Sequence, residues 1–294
     1  MPQNYHKILD DLKPEKEFFI GIDSDGCVFD TMEIKHKECF CPAFIKHFDL
    51  QKISKYARES WDFVNLYSKT RGTNRFKALV RAMNLLRERK EVRLRHAQIL
   101  DLTALEKWME KENKLGNPAL EKYALEVRDP VIDRVLAWSK EVNKVIGEIV
   151  FNISPFPYFN ESLMKMIPKA DTIVVSQTPL EALIREWKEH KIDSYVRVIA
   201  GQEYGTKAEH LKYAAKNKYP GDKILMIGDS PGDLDAAMTN GITFYPINPG
   251  HEELSWEIFY KEALDRFLNG TYKGVYEESL IGDFQKCLPE NPSW

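Results

Sequence analysis

The sequence predicts an α/β protein whose parallel sheet is interrupted early in the chain by a long helical insertion. From residue 171 onward, apolar runs alternate with helical stretches, which is typical of parallel strands joined by right-handed crossovers. Across residues 32–150, by contrast, helical periodicity dominates and strand patterns nearly vanish. The first strand therefore precedes the insertion, and the other strands follow it.

The strands are predicted from short apolar runs that end in polar turns. The first run, at residues 18–22, stops at Asp23 and has the pattern of a buried strand. Later runs are predicted as strands at residues 172–175, 196–199, 223–227 and 242–245. We therefore assign residues 1–31 and 151–294 to one α/β domain.

The insertion, residues 32–150, is predicted to be an all-helical domain. Its apolar residues recur at steps of three or four, the spacing of one helix face. Two such series are Phe76, Leu79, Val80, Met83 and Leu86, and Val131, Val135, Trp138, Val142, Val145 and Ile149.

The composition is that of a globular protein and disfavours several classes of function. The 294 residues are 43% hydrophobic and 30% charged, with a formal net charge of −3, so no basic excess indicates nucleic acid as a partner. No segment approaches the roughly 18 apolar residues that a membrane crossing needs, and residues 1–17 lack a signal-peptide pattern. We expect a cytoplasmic protein with no membrane partner.

The cysteines predict neither disulfides nor a zinc site. Cys27, Cys39, Cys41 and Cys287 are too few and too scattered for a disulfide framework. Cys39 and Cys41 lack a second ligand pair at zinc-site spacing. We expect reduced thiols.

Small polar or acidic residues follow three of the predicted strands. They read D-S-D-G at 23–26, S-Q-T-P at 176–179 and G-D-S-P-G-D at 228–233, while the strand ending at residue 199 is followed by G-T-K at 205–207. Parallel strands end at one edge of a sheet, where ligands bind. These segments are therefore predicted to meet.

Helix-capping signals occur in the same segments. Each pairs a hydroxyl residue with an acid three positions later: Thr178 with Glu181, Thr206 with Glu209 and Ser230 with Asp233. Pro179 and Pro231 are predicted at the first helical position. Helix N-termini directed at one place bind anions through backbone N–H groups and helix dipoles, which indicates a ligand the size of phosphate.

The same edge gathers four carboxylates, those of Asp23, Asp25, Asp229 and Asp233. Two carboxylates about 4 Å apart repel by roughly 4 kcal/mol at an effective dielectric near 20, so the cluster needs a cation. Oxygen ligands beside a phosphate favour Mg²⁺. The cation would also reduce the repulsion between an anionic nucleophile and an anionic phosphoryl group.

These segments together resemble, in the correct order, the four motifs of the haloacid dehalogenase superfamily. The matching residues are D-S-D-G-C-V-F-D-T at 23–31, Ser176 after a strand, Lys207 before a helix, and Gly228-Asp229 followed by Asp233. The resemblance covers the whole chain apart from the sequence details of the insertion. It implies a Rossmann-like core with a helical cap inserted after the first motif, as in phosphoglycolate phosphatases and β-phosphoglucomutases.

The resemblance implies a magnesium-dependent phosphomonoester hydrolase that forms an aspartyl-phosphate. Asp23 would be the nucleophile, and Asp25 would act as acid and then as base.

The remaining motif residues would bind phosphate and metal. Ser176 and the N–H of Gln177 would hold phosphate oxygens, and Lys207 would neutralise charge on the nucleophile and the phosphoryl group. Asp23, Asp229 and the backbone carbonyl of Asp25 would bind Mg²⁺. Asp233 would bind the ion or orient one of its ligands.

Within the insertion, residues 68–75 interrupt the helical pattern with polar and cationic side chains. If the insertion closes as a cap, Arg71 or Arg75 is expected to contact the polar part of the substrate.

Two other functions stay open on the sequence alone. A phosphomutase of the β-phosphoglucomutase type would share both aspartates and the cap, but its cap-hinge histidine would fall at Lys35, with His36 one place away. A catalytically silent binding protein on the same fold is disfavoured by the complete set of reacting groups, and a dehalogenase by the presence of Asp25. The substrate is expected to be a small phosphorylated metabolite such as a sugar phosphate, a phosphoglycolate-like acid or a nucleotide.

Overall fold

The computed structural model describes residues 5–294. Its strands are β1 Phe18–Ile22, β2 Ala170–Val175, β3 Val198–Ala200, β4 Ile224–Gly228 and β5 Thr243–Pro246. Its α-helices are α1 Tyr5–Asp10, α2 Thr31–Ile34, α3 Cys41–His47, α4 Ser54–Asn65, α5 Arg75–Glu88, α6 Lys90–Leu94, α7 Thr103–Lys111, α8 Asn117–Val127, α9 Pro130–Ile149, α10 Phe159–Met166, α11 Leu180–Glu189, α12 Lys207–Ala214, α13 Pro231–Asn240, α14 Glu252–Ile258, α15 Leu264–Leu268 and α16 Val275–Cys287. The π-helical segments Lys35–Phe40 and Phe259–Ala263 join α2 to α3 and α14 to α15.

Within residues 5–294, the five strands form one parallel sheet in the order β3-β2-β1-β4-β5. The central strand β1 pairs with β2 and with β4, so that Ile22 lies opposite both Val174 and Ile227. Every residue of β1 is buried, as expected where both faces of a parallel sheet are covered. The predicted α/β fold class is confirmed, and the strand ends lie within two residues of their predicted positions.

The order of the strands reverses at β1. The chain passes outward from β1 through β2 to β3 and then returns to the other side of β1 for β4 and β5. In open α/β sheets such a reversal leaves a crevice outside the carboxyl ends of the two strands concerned. Asp23 and Asp229 directly follow these two strands.

Apolar side chains on the two faces of the sheet belong to different buried clusters. Along β1, Phe18, Ile20 and Ile22 belong to one cluster and Phe19 to the other. Burying each of these side chains contributes about 1.5–3 kcal/mol, and a slip of one residue would exchange the two faces. The apolar pattern therefore fixes where the strand ends and the polar turn begins.

Residues 5–294 divide into two compact units. An α/β unit runs up to Thr31 and resumes at Asn152–Leu288, and a helical unit comprises Met32–Phe151 with Pro289–Trp294. The structure groups Phe151 and residues 289–294 with the helical unit, and not with the α/β domain to which the sequence pattern assigns them. Trp294 packs on Phe63 with ring centroids 5.5 Å apart, and the Arg89 guanidinium lies 4.4 Å from the Trp294 ring. So short a segment has no apolar period from which this packing could be predicted.

The helical unit has its own aromatic core. Trp61, Trp138 and Phe76 are fully buried in it. The predicted face of α5 is buried at Phe76, Leu79, Met83 and Leu86, whereas the last residue of the α9 series, Ile149, is 38% exposed. None of the helices in residues 5–294 is both long enough and apolar enough to cross a membrane.

Two of the three predicted helix caps are present. Thr206 and Glu209 form a capping box at α12, and Ser230 and Asp233 form one at α13. The cap predicted at Thr178, with Pro179 as first helical residue, is wrong. Pro179 is extended, α11 begins at Leu180, and the Leu180 N–H donates to Glu203 Oε2 at 2.9 Å. The Thr178 hydroxyl donates to Asp25 instead.

Candidate active site

Three buried carboxylates lie together at the carboxyl edge of the sheet. Asp23 follows β1, and its N–H donates to the Ile227 carbonyl at 2.9 Å, which ties the turn to β4. Asp229 follows β4, and Asp233 lies in the first turn of α13. Each offers an oxygen within 4.8 Å of the others, and none of the three residues is more than 4% exposed.

Lys207, the first residue of α12, joins two of these carboxylates. Its Nζ lies 2.8 Å from Asp23 Oδ2 and 2.6 Å from Asp233 Oδ1. Burial would lower the pKa of Lys207, but the charges of Asp23 and Asp233 outweigh it and raise the pKa above its usual value. Of these four side chains three are acidic and one is basic, so the group would carry a net charge of −2 if all four were ionised.

The pKa and the hydrogen bonding of the Asp23 carboxyl both indicate that a cation would be stabilised beside it. Burial raises the pKa of its carboxyl well above the usual value, and although Lys207 opposes this shift, the neighbouring Asp233 and Asp229 reinforce it. Its Oδ1 is buried and has no hydrogen-bond partner among the residues that the structure describes. A buried oxygen of this kind, in a set of oxygen donors with two excess negative charges, fits a hard divalent cation such as Mg²⁺.

Asp233 is held tightly through both of its oxygens. Its Oδ1 accepts from Lys207, and its Oδ2 accepts from the Ser230 N–H at 3.0 Å and the Ser230 hydroxyl at 2.6 Å. This carboxyl fits only because residue 228 is glycine, since a Cβ there would lie 2.3 Å from Asp233 Cγ. Asp233 therefore fixes the position of Lys207 and of the turn that carries Asp229.

The carboxyl of Asp25 is held by two hydroxyl groups. Thr31 Oγ1 donates to Asp25 Oδ1 at 2.5 Å, and Thr178 Oγ1 donates to Asp25 Oδ2 at 2.6 Å. Sequence reasoning missed both contacts. Thr31 is the last residue of the first motif, and Thr178 lies two residues after Ser176. Their closeness in sequence to these motifs is the only feature from which a role at the site could have been predicted.

Ser176 and Gln177 form the start of the turn after β2. Ser176 is buried, its N–H donates to the Ala200 carbonyl at 3.0 Å, and its Oγ accepts from the Thr178 N–H at 3.2 Å. Because that oxygen accepts in this contact, the hydroxyl proton can be donated to a ligand. The side chain of Gln177 turns to the Gly205 carbonyl at 2.8 Å, so a ligand would meet its backbone rather than its amide.

Arg71 and Arg75 both have partners inside the helical unit. Arg71 is buried and donates to the Leu66 carbonyl at 2.9 Å. Arg75 donates to Ser139 Oγ at 3.0 Å and to Asn143 Oδ1 at 2.7 Å. These contacts give each guanidinium a structural role, and contact with substrate stays a prediction.

The buried carboxylates, the lysine and the hydroxyl all lie at the carboxyl edge of a parallel α/β sheet, which is where open sheets of this class bind their ligands. No family model matches the chain, and no curated protein matches it. The solved structures that match the chain include haloacid dehalogenase-superfamily hydrolases, the family that the sequence motifs resemble.

Three of these structures show the degree of likeness. A subfamily IA hydrolase from Geobacter sulfurreducens is 14% identical, with 80% of this chain and 90% of that chain covered and a TM-score of 0.40. A candidate phosphoglycolate phosphatase from Lactobacillus delbrueckii subsp. bulgaricus is 15% identical, with coverages of 88% and 100% and a TM-score of 0.47. A candidate β-phosphoglucomutase from Thermotoga maritima is 14% identical, with coverages of 78% and 84% and a TM-score of 0.37. Identities and TM-scores as low as these do not define the activity of this chain.

Proposed function

We propose that this protein is a magnesium-dependent phosphomonoester hydrolase that acts through an aspartyl-phosphate on a small phosphorylated metabolite. The observation that carries the proposal is the environment of Asp23. One oxygen of its carboxylate is paired with Lys207, and the other is buried beside Asp229 and Asp233 with no hydrogen-bond partner in residues 5–294. A nucleophilic carboxylate needs positive charge beside it, here from Lys207 and from a bound cation, to keep it ionised while a phosphoryl group is brought close.

Asp23 and Asp229 would hold the magnesium ion, together with the backbone carbonyl of Asp25. When bound, the ion supplies positive charge that offsets the carboxylates and polarises the phosphoryl group. Asp233 would position these groups, because both of its oxygens already have partners in Lys207 and Ser230.

Ser176, Gln177 and Lys207 would bind the phosphoryl oxygens. The Ser176 hydroxyl and the Gln177 N–H would donate to them from the turn after β2. The Lys207 ammonium would stabilise the charge that builds up on these oxygens during transfer.

The reaction proceeds in two displacements. In the first, a carboxylate oxygen of Asp23 bonds to phosphorus and the ester oxygen leaves with the proton of the Asp25 carboxyl, which releases an alcohol. In the second, Asp25 takes a proton from a water whose oxygen attacks phosphorus, and the bond to Asp23 breaks. Phosphate leaves, the Asp23 carboxylate is restored and Asp25 is protonated again.

The test measures phosphate release from a panel of sugar phosphates, phosphoglycolate-like acids and nucleotides, with Mg²⁺ and with a chelator. We expect turnover that requires the metal and that falls at least about 10³-fold in Asp23→Asn. The class of the best substrate would identify the metabolite. Changes of Michaelis constant in Arg71→Ala and Arg75→Ala would test whether either arginine contacts it.

A second experiment measures Mg²⁺ binding in the absence of substrate, through its effect on the stability of the protein. Mg²⁺ at 100 times its dissociation constant should stabilise the protein by about 2.7 kcal/mol, and Asp229→Asn should lose this stabilisation. Asp235→Asn, on the exposed side of α13, six positions after Asp229, is the matched control. A folded protein that binds Mg²⁺ but releases no phosphate from any ester would overturn the hydrolase and favour the mutase or a silent binding protein.

A further inference from the structure

The hydroxyl of Thr178 lies 2.6 Å from Asp25 Oδ2, across 153 positions of sequence. It comes from the turn after β2, whereas Asp25 comes from the turn after β1. The Thr31 hydroxyl contacts the other oxygen, Oδ1. The Asp25 carboxyl is thus fixed at two points, one from its own turn and one from the neighbouring turn.

The hydrogen bonds from Thr31 and Thr178, one to each oxygen, restrict rotation of the Asp25 carboxyl plane, which a single hydrogen bond would permit. The last torsion of an aspartate side chain is broad and has no sharp staggered minima. A hydroxyl on Oδ1 alone would let the carboxyl plane turn about that contact. With Thr178 on Oδ2 as well, the orientation of the plane is set.

The backbone that presents Thr178 is held independently of its side chain. Its N–H donates to Ser176 Oγ at 3.2 Å, and its carbonyl accepts from the Gln202 N–H at 3.1 Å. The turn also packs closely against residue 201, where a Cβ would lie 2.7 Å from the Thr178 carbonyl oxygen and only glycine fits. Removing the Thr178 hydroxyl should therefore leave the turn in place.

We infer that Thr178 is a positioning residue, which aims the Asp25 carboxyl at the leaving oxygen so that proton transfer is efficient. This inference rests on the proposed function. A misplacement of about 1 Å at a reacting group can cost roughly 10²-fold in rate. The cost should appear mainly where the leaving oxygen needs the proton, because a well-stabilised leaving group departs with little protonation.

The experiment compares Thr178→Val, which keeps the shape and removes the hydroxyl, with Thr178→Ser, which keeps the hydroxyl. Turnover is measured with Mg²⁺ on an alkyl phosphate, a poor leaving group, and on p-nitrophenyl phosphate, a good one. Thr178→Val should lower kcat/KM at least tenfold more for the alkyl ester than for the aryl ester, because kcat/KM reports only the steps up to release of the alcohol, before Asp25 acts on water. Thr178→Ser should recover most of that loss.

A double-mutant cycle with Asp25→Ala completes the test. Without the carboxyl there is nothing to position, so Thr178→Val should cause no further loss in that background. An equal loss of kcat/KM on both esters, a serine variant as slow as the valine variant, or an additive loss in the cycle would overturn the inference alone. An inactive wild type would overturn the proposed function and this inference with it.

Discussion

At the scale of single residues, the buried carboxylates of the α/β unit fall into two kinds. Asp23 is surrounded by other carboxylates, and one of its oxygens has no partner among the described residues. Asp171, on β2, accepts through Oδ2 from the N–H groups of Glu15 and Lys16 and from the Tyr219 hydroxyl, at 2.6–3.0 Å. Its Oδ1 lies 3.1 Å from Arg197 Nη1. Under the proposed function the first kind serves chemistry, whereas the second holds the segment before β1.

Replacing Asp171 by alanine should destabilise the α/β unit by about 2–4 kcal/mol. Burial would raise the pKa of Asp171, but these hydrogen bonds and Arg197 together hold it below its usual value, so the ionised form is what the fold stabilises. The change leaves the buried Tyr219 hydroxyl and the partly buried N–H groups of Glu15 and Lys16 without this acceptor. Unfolding in urea measures the loss.

Glu17→Ala is the matched control for Asp171. It removes an ion pair with Lys223, 2.6 Å long, near the start of β1, but Glu17 is largely exposed. Exposed pairs of this kind contribute little. Equal effects of the two substitutions would contradict the structural role given to Asp171.

At the scale of elements, the turn after β4 depends on a close approach between a strand and a helix. The carboxyl of Asp233, in α13, occupies the space where a side chain on Gly228 would lie. Gly228→Ala should therefore displace Asp233 and with it Lys207. We expect a loss of about 1–3 kcal/mol in stability and a large loss of turnover, measured by thermal unfolding and phosphate release.

The same motif supplies the control. Gly232 lies in the first turn of α13, where an added Cβ would meet only Ser230 Oγ, at 3.7 Å. Gly232→Ala should fold and turn over much as the wild type does. If both alanines behaved alike, the close packing of Gly228 against Asp233 would not be what positions the site.

The elements of the core could be predicted from sequence because their signals are local. Phe18–Ile22 is apolar throughout and stops at Asp23, so both the strand and its polar end can be read from adjacent residues. The capping box of Thr206 and Glu209 is equally local. Thr178 gave the same local signal and was wrongly predicted as a cap, since its hydroxyl is used by Asp25, far away in the sequence. A contact between turns that follow different strands leaves no periodic pattern in the sequence, so it could not be predicted.

At the scale of the whole molecule, each of the two units has its own buried apolar core. In the α/β unit, apolar clusters cover both faces of the sheet, and the helical unit is organised around Trp61 and Trp138. Residues 289–294 join the helical unit through contacts of Trp294. A single aromatic residue near the end of the chain carries no sequence signal for the surface on which it packs.

The stability of the α/β unit should depend on pH through His210. This residue lies fully buried in α12, with its ring edge-on to Tyr204 at 6.2 Å between centroids. Burial, helped by the charge of Lys207, lowers the pKa of His210 to about 4. The same side chain in the unfolded chain titrates near 6.5.

Between these two values the unfolded chain binds a proton that the folded protein excludes, so the free energy of unfolding decreases as pH falls from about 6.5 to about 4. Below pH 4 both states are protonated and the contribution of His210 changes no further. The full difference in the free energy of unfolding is about 3 kcal/mol.

Urea unfolding at pH 7 and at pH 4.5 measures this difference in the wild type and in His210→Leu. The carboxylates titrate in both proteins alike, so the leucine variant should lose less stability on acidification by about 2–3 kcal/mol. Parallel losses in the two proteins would mean that His210 is protonated in the folded state, and that α12 accommodates its charge beside Lys207.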